Sequence, residues 1–122
     1  MGSRVLVCGG RAFADQEVVY ASLTKAQPEL VIHGGAGGAD GIAARWCNLN
    51  GIPSMVFRPC WEKFKLAAGP IRNGWMLTFG QPDVVLAFPG GRGTADMVRQ
   101  AEQAGVPVRR WDWGELDEVS NG

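Results

Sequence analysis

The run Pro89-Gly90-Gly91-Arg92-Gly93-Thr94 places three glycines, a guanidinium and a hydroxyl in six residues. At a strand-to-helix junction this composition suits an anion. Glycines let backbone N–H groups approach with no Cβ in the way, and the helix amino end adds a positive dipole. Thr94 can cap the helix or donate its hydroxyl to a phosphate. A tight turn that merely needs glycine is the competing reading. No Gly-Lys-Ser/Thr follows, which excludes a Walker A loop. The first apolar run leads into Gly9-Gly10-Arg11-Ala12-Phe13, which excludes the G-x-G-x-x-G dinucleotide pattern.

Two further glycine clusters lie near residues with usable chemistry. Arg11 follows Gly9-Gly10 and could clamp a phosphate, or simply be a solvated loop arginine. Asp40 follows Gly34, Gly35, Gly37 and Gly38. Its carboxylate could bond ribose hydroxyls or stabilise positive charge at an anomeric carbon, as carboxylates do in glycoside hydrolysis. Helix capping and dipole complementarity would equally explain an aspartate there. Trp61, with Phe64, stands before Arg72 and Asn73 and could stack on a base or pack as a lid. Arg92 belongs to the third cluster, with its side chain expected to point outward. His33 reads as a satisfied core or loop histidine rather than a catalytic one.

These residues need a scaffold, and the pattern of apolar runs supplies one. Val5 to Cys8, Leu30 to His33, Ser54 to Phe57, Asp83 to Phe88 and Val106 to Arg110 read as strands. Helical patterns lie between them. Gln16 to Ala26 follows the cap Asp15, with Val18, Val19 and Leu23 inward, and Pro28 closes it. Ala39 to Leu49 turns Ile42, Ala43, Trp46 and Leu49 inward and stops at Gly51. Pro70 to Phe79 places Trp75 on its inner face, and Thr94 to Ala104 turns in Ala95, Val98 and Ala101 before Gly105. Strands alternating with helices predict an α/β fold: one Rossmann-like, doubly wound parallel sheet of five strands, ordered 3-2-1-4-5, with helices on both faces. All three glycine clusters then fall at the carboxyl edge of the sheet, the first and third flanking the switch-point crevice. The domain is expected over residues 1–111, followed by an acidic tail over 112–122; Trp111 and Trp113 read as covering an edge or making an oligomer contact.

Composition narrows the function classes. Glycine accounts for 18 of 122 residues, yet the chain is not low-complexity, because the glycines gather in clusters. Twelve basic and twelve acidic residues cancel, so no net field draws the chain to nucleic acid or an anionic membrane. Nine arginines against three lysines fit phosphate recognition, or equally a codon preference for arginine. Three cysteines without C-x-x-C spacing and a lone histidine cannot complete a zinc site. The chain opens on a strand-like run, so a cytoplasmic protein with reduced thiols is expected, with no metal and no resident cofactor.

Phe88 to Met97 resembles the P-G-G-x-G-T-x-x-E motif of the LOG phosphoribohydrolases, members of the Rossmann-like SLOG superfamily with the DprA and YpsA proteins. Arg72, Asn73 and Met76 are similar to that group's R-K-x-x-M segment, and Asp83 falls where the group has aspartate. The small YspA-type branch is closer still, through Gly9 to Arg11, Gly34 to Asp40, Trp61 to Asn73 and Pro89 to Thr94 in order. The resemblance implies a nucleotide-like phosphate ligand held by Pro89 to Thr94, with Arg72 near the reacting or second anionic group. It also implies self-association as a homodimer or higher homo-oligomer. Cleavage of a nucleoside 5′-monophosphate at its N-glycosidic bond is the alternative activity, and single-stranded DNA binding a third. For cleavage the motif's glutamate falls on Met97, which cannot serve as an acid; Asp96 is one residue, about 100° of helix, away. The catalytic candidates are therefore Arg72 with Asp96 or Asp40.

Overall fold

The structure is a computed structural model and describes residues 3–111. Five parallel strands form its sheet: β1 (Ser3–Cys8), β2 (Pro28–His33), β3 (Ser54–Val56), β4 (Val84–Ala87) and β5 (Val108–Arg110). Their spatial order is β3-β2-β1-β4-β5, as expected from the alternation of strands and helices. Val5 pairs with Val31 on one side and Val84 on the other, so β1 is central and buried on both faces. That accounts for its unbroken apolar run, since a parallel strand covered on both faces has no solvent side to alternate with.

Successive residues of β1 divide two cores. Val5 and Val7 join Val31, Leu86 and Phe88 beneath α1 (Gln16–Ala26) and α2 (Ala39–Asn50). Leu6 and Cys8 join Ile32, Val85 and Ala87 beneath α4 (Ala68–Gly80) and α5 (Arg92–Gln103). The short α3 (Trp61–Phe64) bridges β3 and α4. Asp15 caps α1 by accepting the Val18 N–H at 3.2 Å. Gly51 ends α2 in the left-handed conformation, φ +66°, which glycine adopts without a Cβ penalty.

Several inward assignments change. Leu49 is 73% exposed, because Cys47 joins Ile42, Ala43 and Trp46 and moves the centre of the buried stripe about a quarter turn away from it. Ala95 is exposed and Met97 buried: the sheet-facing stripe of α5 is Met97, Val98 and Ala101. Trp75 is only half-buried, since Asn73 and Met76 define the inner face of α4, and it packs edge-on against Phe64 at 5.9 Å. The helix expected from Thr94 begins two residues earlier, so Arg92 and Gly93 belong to its first turn. Trp111 packs against the core beneath α1 and α2; Trp113 and the acidic tail lie outside the described residues. Among the described residues no helix is long and apolar enough to cross a membrane.

Candidate ligand site

Right-handed crossovers in a parallel sheet bring every strand-to-helix loop to one edge. The three glycine loops meet there, and much of their glycine serves the meeting itself. Gly10 donates its N–H to Pro89 O at 2.8 Å, and its own carbonyl accepts from Phe13 N at 3.2 Å and Ala39 N at 3.4 Å. A Cβ on Gly9 would come within 2.6 Å of Ala39 Cβ. One on Gly38, at φ +63°, would overlap Gly10 O, and one on Gly90 would overlap Thr94 Oγ1. Loops one, two and three are thus interlocked at backbone distance.

Gly34 has a different neighbour. A Cβ there would overlap the Arg72 guanidinium, which reaches from α4 across the ends of β2 and β3. Arg72 Nη1 donates to Gly34 O at 3.0 Å and Phe57 O at 3.1 Å, while Nε donates to Asn73 Oδ1 at 3.0 Å. Asn73 is buried and donates through Nδ2 to Gly93 O at 3.2 Å and Asp96 Oδ2 at 3.0 Å. Asp96 also accepts from Gln100 Nε2 at 2.7 Å and pairs with Arg99. Beyond Arg72, Asp40 Oδ2 accepts the N–H groups of Gly34 at 3.1 Å and Ala36 at 3.2 Å. One hydrogen-bonded chain therefore runs from Asp96 through Asn73, Arg72 and Gly34 to Asp40.

The electrostatics follow from burial. Asp40 is 6% exposed, and burial raises its pKa against the pull of the Ala36 N–H, the Arg72 charge and the Gly34 N–H. Burial lowers the Arg72 pKa, with the Asp40 carboxylate opposing and like-charged Arg11 adding to the fall. Cys8 is pushed up to about 12 by burial and by the Asp40 charge, with Arg72 opposing. That thiol stays protonated and is no nucleophile. His33 is buried and held neutral by desolvation and by Arg58; its Nδ1 accepts the Gly35 N–H at 3.0 Å. Its Nε2 has no partner among the described residues, so the histidine is half satisfied rather than fully so.

The third glycine loop has an open side. Gly91 is the N-cap of α5 and no side chain caps the helix. A Cβ on Gly91 or Gly93 would meet nothing within 4 Å, and Gly91, Arg92 and Gly93 are all exposed. The first-turn N–H groups of α5 therefore stand unblocked by side chains, with the dipole of a 12-residue helix behind them. A cavity of about 470 Å³ opens beside them, lined by Gly91 and Thr94 and continuing toward Arg110 on β5. Neither Asp40 nor Arg72 lines it.

The sequence candidates therefore fall into two groups. Gly9, Gly10, Gly34, Gly38, Asp40, Arg72, Asn73 and Asp96 form the interlocked half, and Gly91 to Thr94 the open half. Arg11 is exposed at the edge of the first. Trp61 is 46% exposed on α3, near Gly69 rather than the glycine loops. Arg58 was missed: its Nη1 donates to Gly35 O at 3.0 Å. Its place just past β3, at the same edge as Gly34, was the available signal. Arg99, Glu102 and Arg110 around the cavity were also missed, because no motif marks them. Among the described residues no three side chains of His, Cys, Asp or Glu gather to hold a metal ion.

An all-parallel, doubly wound sheet with glycine loops gathered at its carboxyl edge defines a Rossmann-like domain. The model of the YspA, cpYpsA-related SLOG family matches residues 3–64, half of the chain. The Gene 61 protein of Mycobacterium phage D29 is 40% identical over 118 residues, covering 86% of this chain and 93% of the phage protein. The chain belongs to the YspA, cpYpsA-related SLOG family.

Proposed function

We propose that this protein binds a nucleotide or nucleotide-derived phosphate at the amino end of α5. The observation that carries the reading is the bare first turn at Gly91 to Thr94, open to solvent and to a cavity of about 470 Å³. Backbone N–H groups unblocked by side chains at a helix start are ready donors to phosphate oxygens. Arg11 adds an exposed positive charge at the neighbouring loop.

Thermal unfolding with nucleoside mono- and diphosphates and ADP-ribose tests the reading. A ligand at 100 times its Kd stabilises by about 2.7 kcal/mol, a clear rise in Tm. Gly91→Asp, which meets no neighbour, should abolish that rise by setting a carboxylate against the incoming anion. No shift with any phosphate compound would end the proposal.

Hydrolysis at an N-glycosidic bond is a second reading, favoured by Asp40, a buried carboxyl with raised pKa beside Arg72. It requires free base to appear from one of the nucleoside 5′-monophosphates, and Asp40→Asn to stop it. Met97, at 1% exposure, is part of the core and takes no part in either reading.

A further inference from the structure

We infer that the nucleoside end of the ligand occupies the cavity on the β5 side of α5, away from Asp40 and Arg72. The inference rests on the phosphate reading above and adds to it where the rest of the molecule goes.

Space is the first argument. On the Asp40 side the backbone is filled: Gly9, Gly10 and Gly34 each have a neighbouring atom within 3.0 Å of an added Cβ. On the β5 side Gly91 has none within 4 Å, and the cavity of about 470 Å³ begins there. That volume lies within the roughly 300–1,000 Å³ typical of small-ligand pockets.

Chemistry is the second. The cavity has apolar walls in Pro89, Ala95 and Val98, which suit the face of a planar ring. Arg110 and Glu102 stand at its far end, paired at 3.3 Å, with side chains 50% and 57% exposed. A guanidinium donor and a carboxylate acceptor together match the mixed hydrogen-bonding edge of a base or the hydroxyls of a ribose. Continuity is the third. Gly91 and Thr94 belong both to the first turn of α5 and to the cavity lining, so phosphate and sugar can adjoin without the ligand crossing the interlocked loops. In this pose the glycosidic bond lies away from the Asp40 carboxyl, which favours binding over cleavage.

Titration calorimetry with AMP and ribose 5-phosphate tests the placement in the full-length protein. AMP should bind at least tenfold more tightly than ribose 5-phosphate. Ala95→Trp puts bulk into the cavity from an exposed position; it should remove most of that difference and leave the ribose 5-phosphate Kd within twofold. Arg110→Ala, a change on β5 at the far end of the cavity from the first turn of α5, should lower AMP affinity severalfold in the same selective way. Equal affinities in the unaltered protein would overturn the inference. So would AMP binding indifferent to both substitutions but weakened by Arg72→Gln, which would place the nucleoside on the other side while sparing the phosphate reading. If neither compound binds the unaltered protein, both readings fall together.

Discussion

The two halves of the glycine-rich edge use the same residue for opposite ends. Around Gly9, Gly10, Gly38 and Gly90 the missing Cβ lets three loops touch, and Gly10 is hydrogen-bonded through both its N–H and its carbonyl. At Gly91 and Gly93 the missing Cβ leaves space, and the helix amino end is uncapped. The first arrangement is a clasp; the second is an open helix end held in place by it. A rigid support carrying a small open donor set is what pre-organised binding requires, since little ordering entropy remains to be lost when a ligand arrives.

Substitutions at glycine should separate the halves most sharply. Gly38→Ala combines a positive φ with overlap onto Gly10 O, and should cost about 3 kcal/mol or more in urea unfolding. Gly93→Ala, in the first turn of α5 with open space around it, should instead stabilise by up to about 1 kcal/mol. Equal losses at both positions would erase the distinction.

Asn73 is the joint between the halves, accepting from Arg72 and donating to Gly93 O and Asp96. Asn73→Ala leaves the Arg72 Nε without its acceptor and should cost about 2–3 kcal/mol by denaturant unfolding. A loss below about 0.5 kcal/mol would show that the chain of hydrogen bonds is not a structural tie.

The smallest effect concerns pH. The folded pKa of Asp40 is raised above its ordinary value, so its contribution to stability is fully present below that value, 3.8, and is lost as pH rises through the folded pKa. His33 works the other way. Its folded pKa is lowered, so its contribution is present above 6.5 and lost as pH falls through the folded value. Stability measured from pH 4 upward should therefore show a falling Asp40 component that Asp40→Asn removes and His33→Asn leaves in place. An unchanged pH profile for Asp40→Asn would mean its carboxyl is not desolvated in solution.

The sheet order was legible because each apolar run is a whole strand and parallel connections have one hand. The meeting of the three glycine clusters followed from that order alone. Their division into clasp and opening was not legible, since Gly38 and Gly91 look alike in a sequence and differ only in what packs against them. Arg72 stood out by type and position, but its two backbone acceptors, Gly34 O and Phe57 O, lie far along the chain. The change from glutamate to Met97 also reads differently once placed. Position 97 faces Leu6, Ile32 and Val85, where a charge would be buried without a partner, so methionine there belongs to packing.

The uncapped start of α5 has a consequence for how occupancy would be felt inside the molecule. Arg92, Gly93 and Thr94 begin the helix without a side-chain acceptor, so its first turn is incomplete as secondary structure. A bound phosphate would supply the missing acceptors, and ligand and chain would then share a single hydrogen-bonded element. Recognition at this site would in that sense complete the first turn of α5. Slowed hydrogen exchange at those three amides would be its most local trace, reaching Asn73 next through Gly93 O.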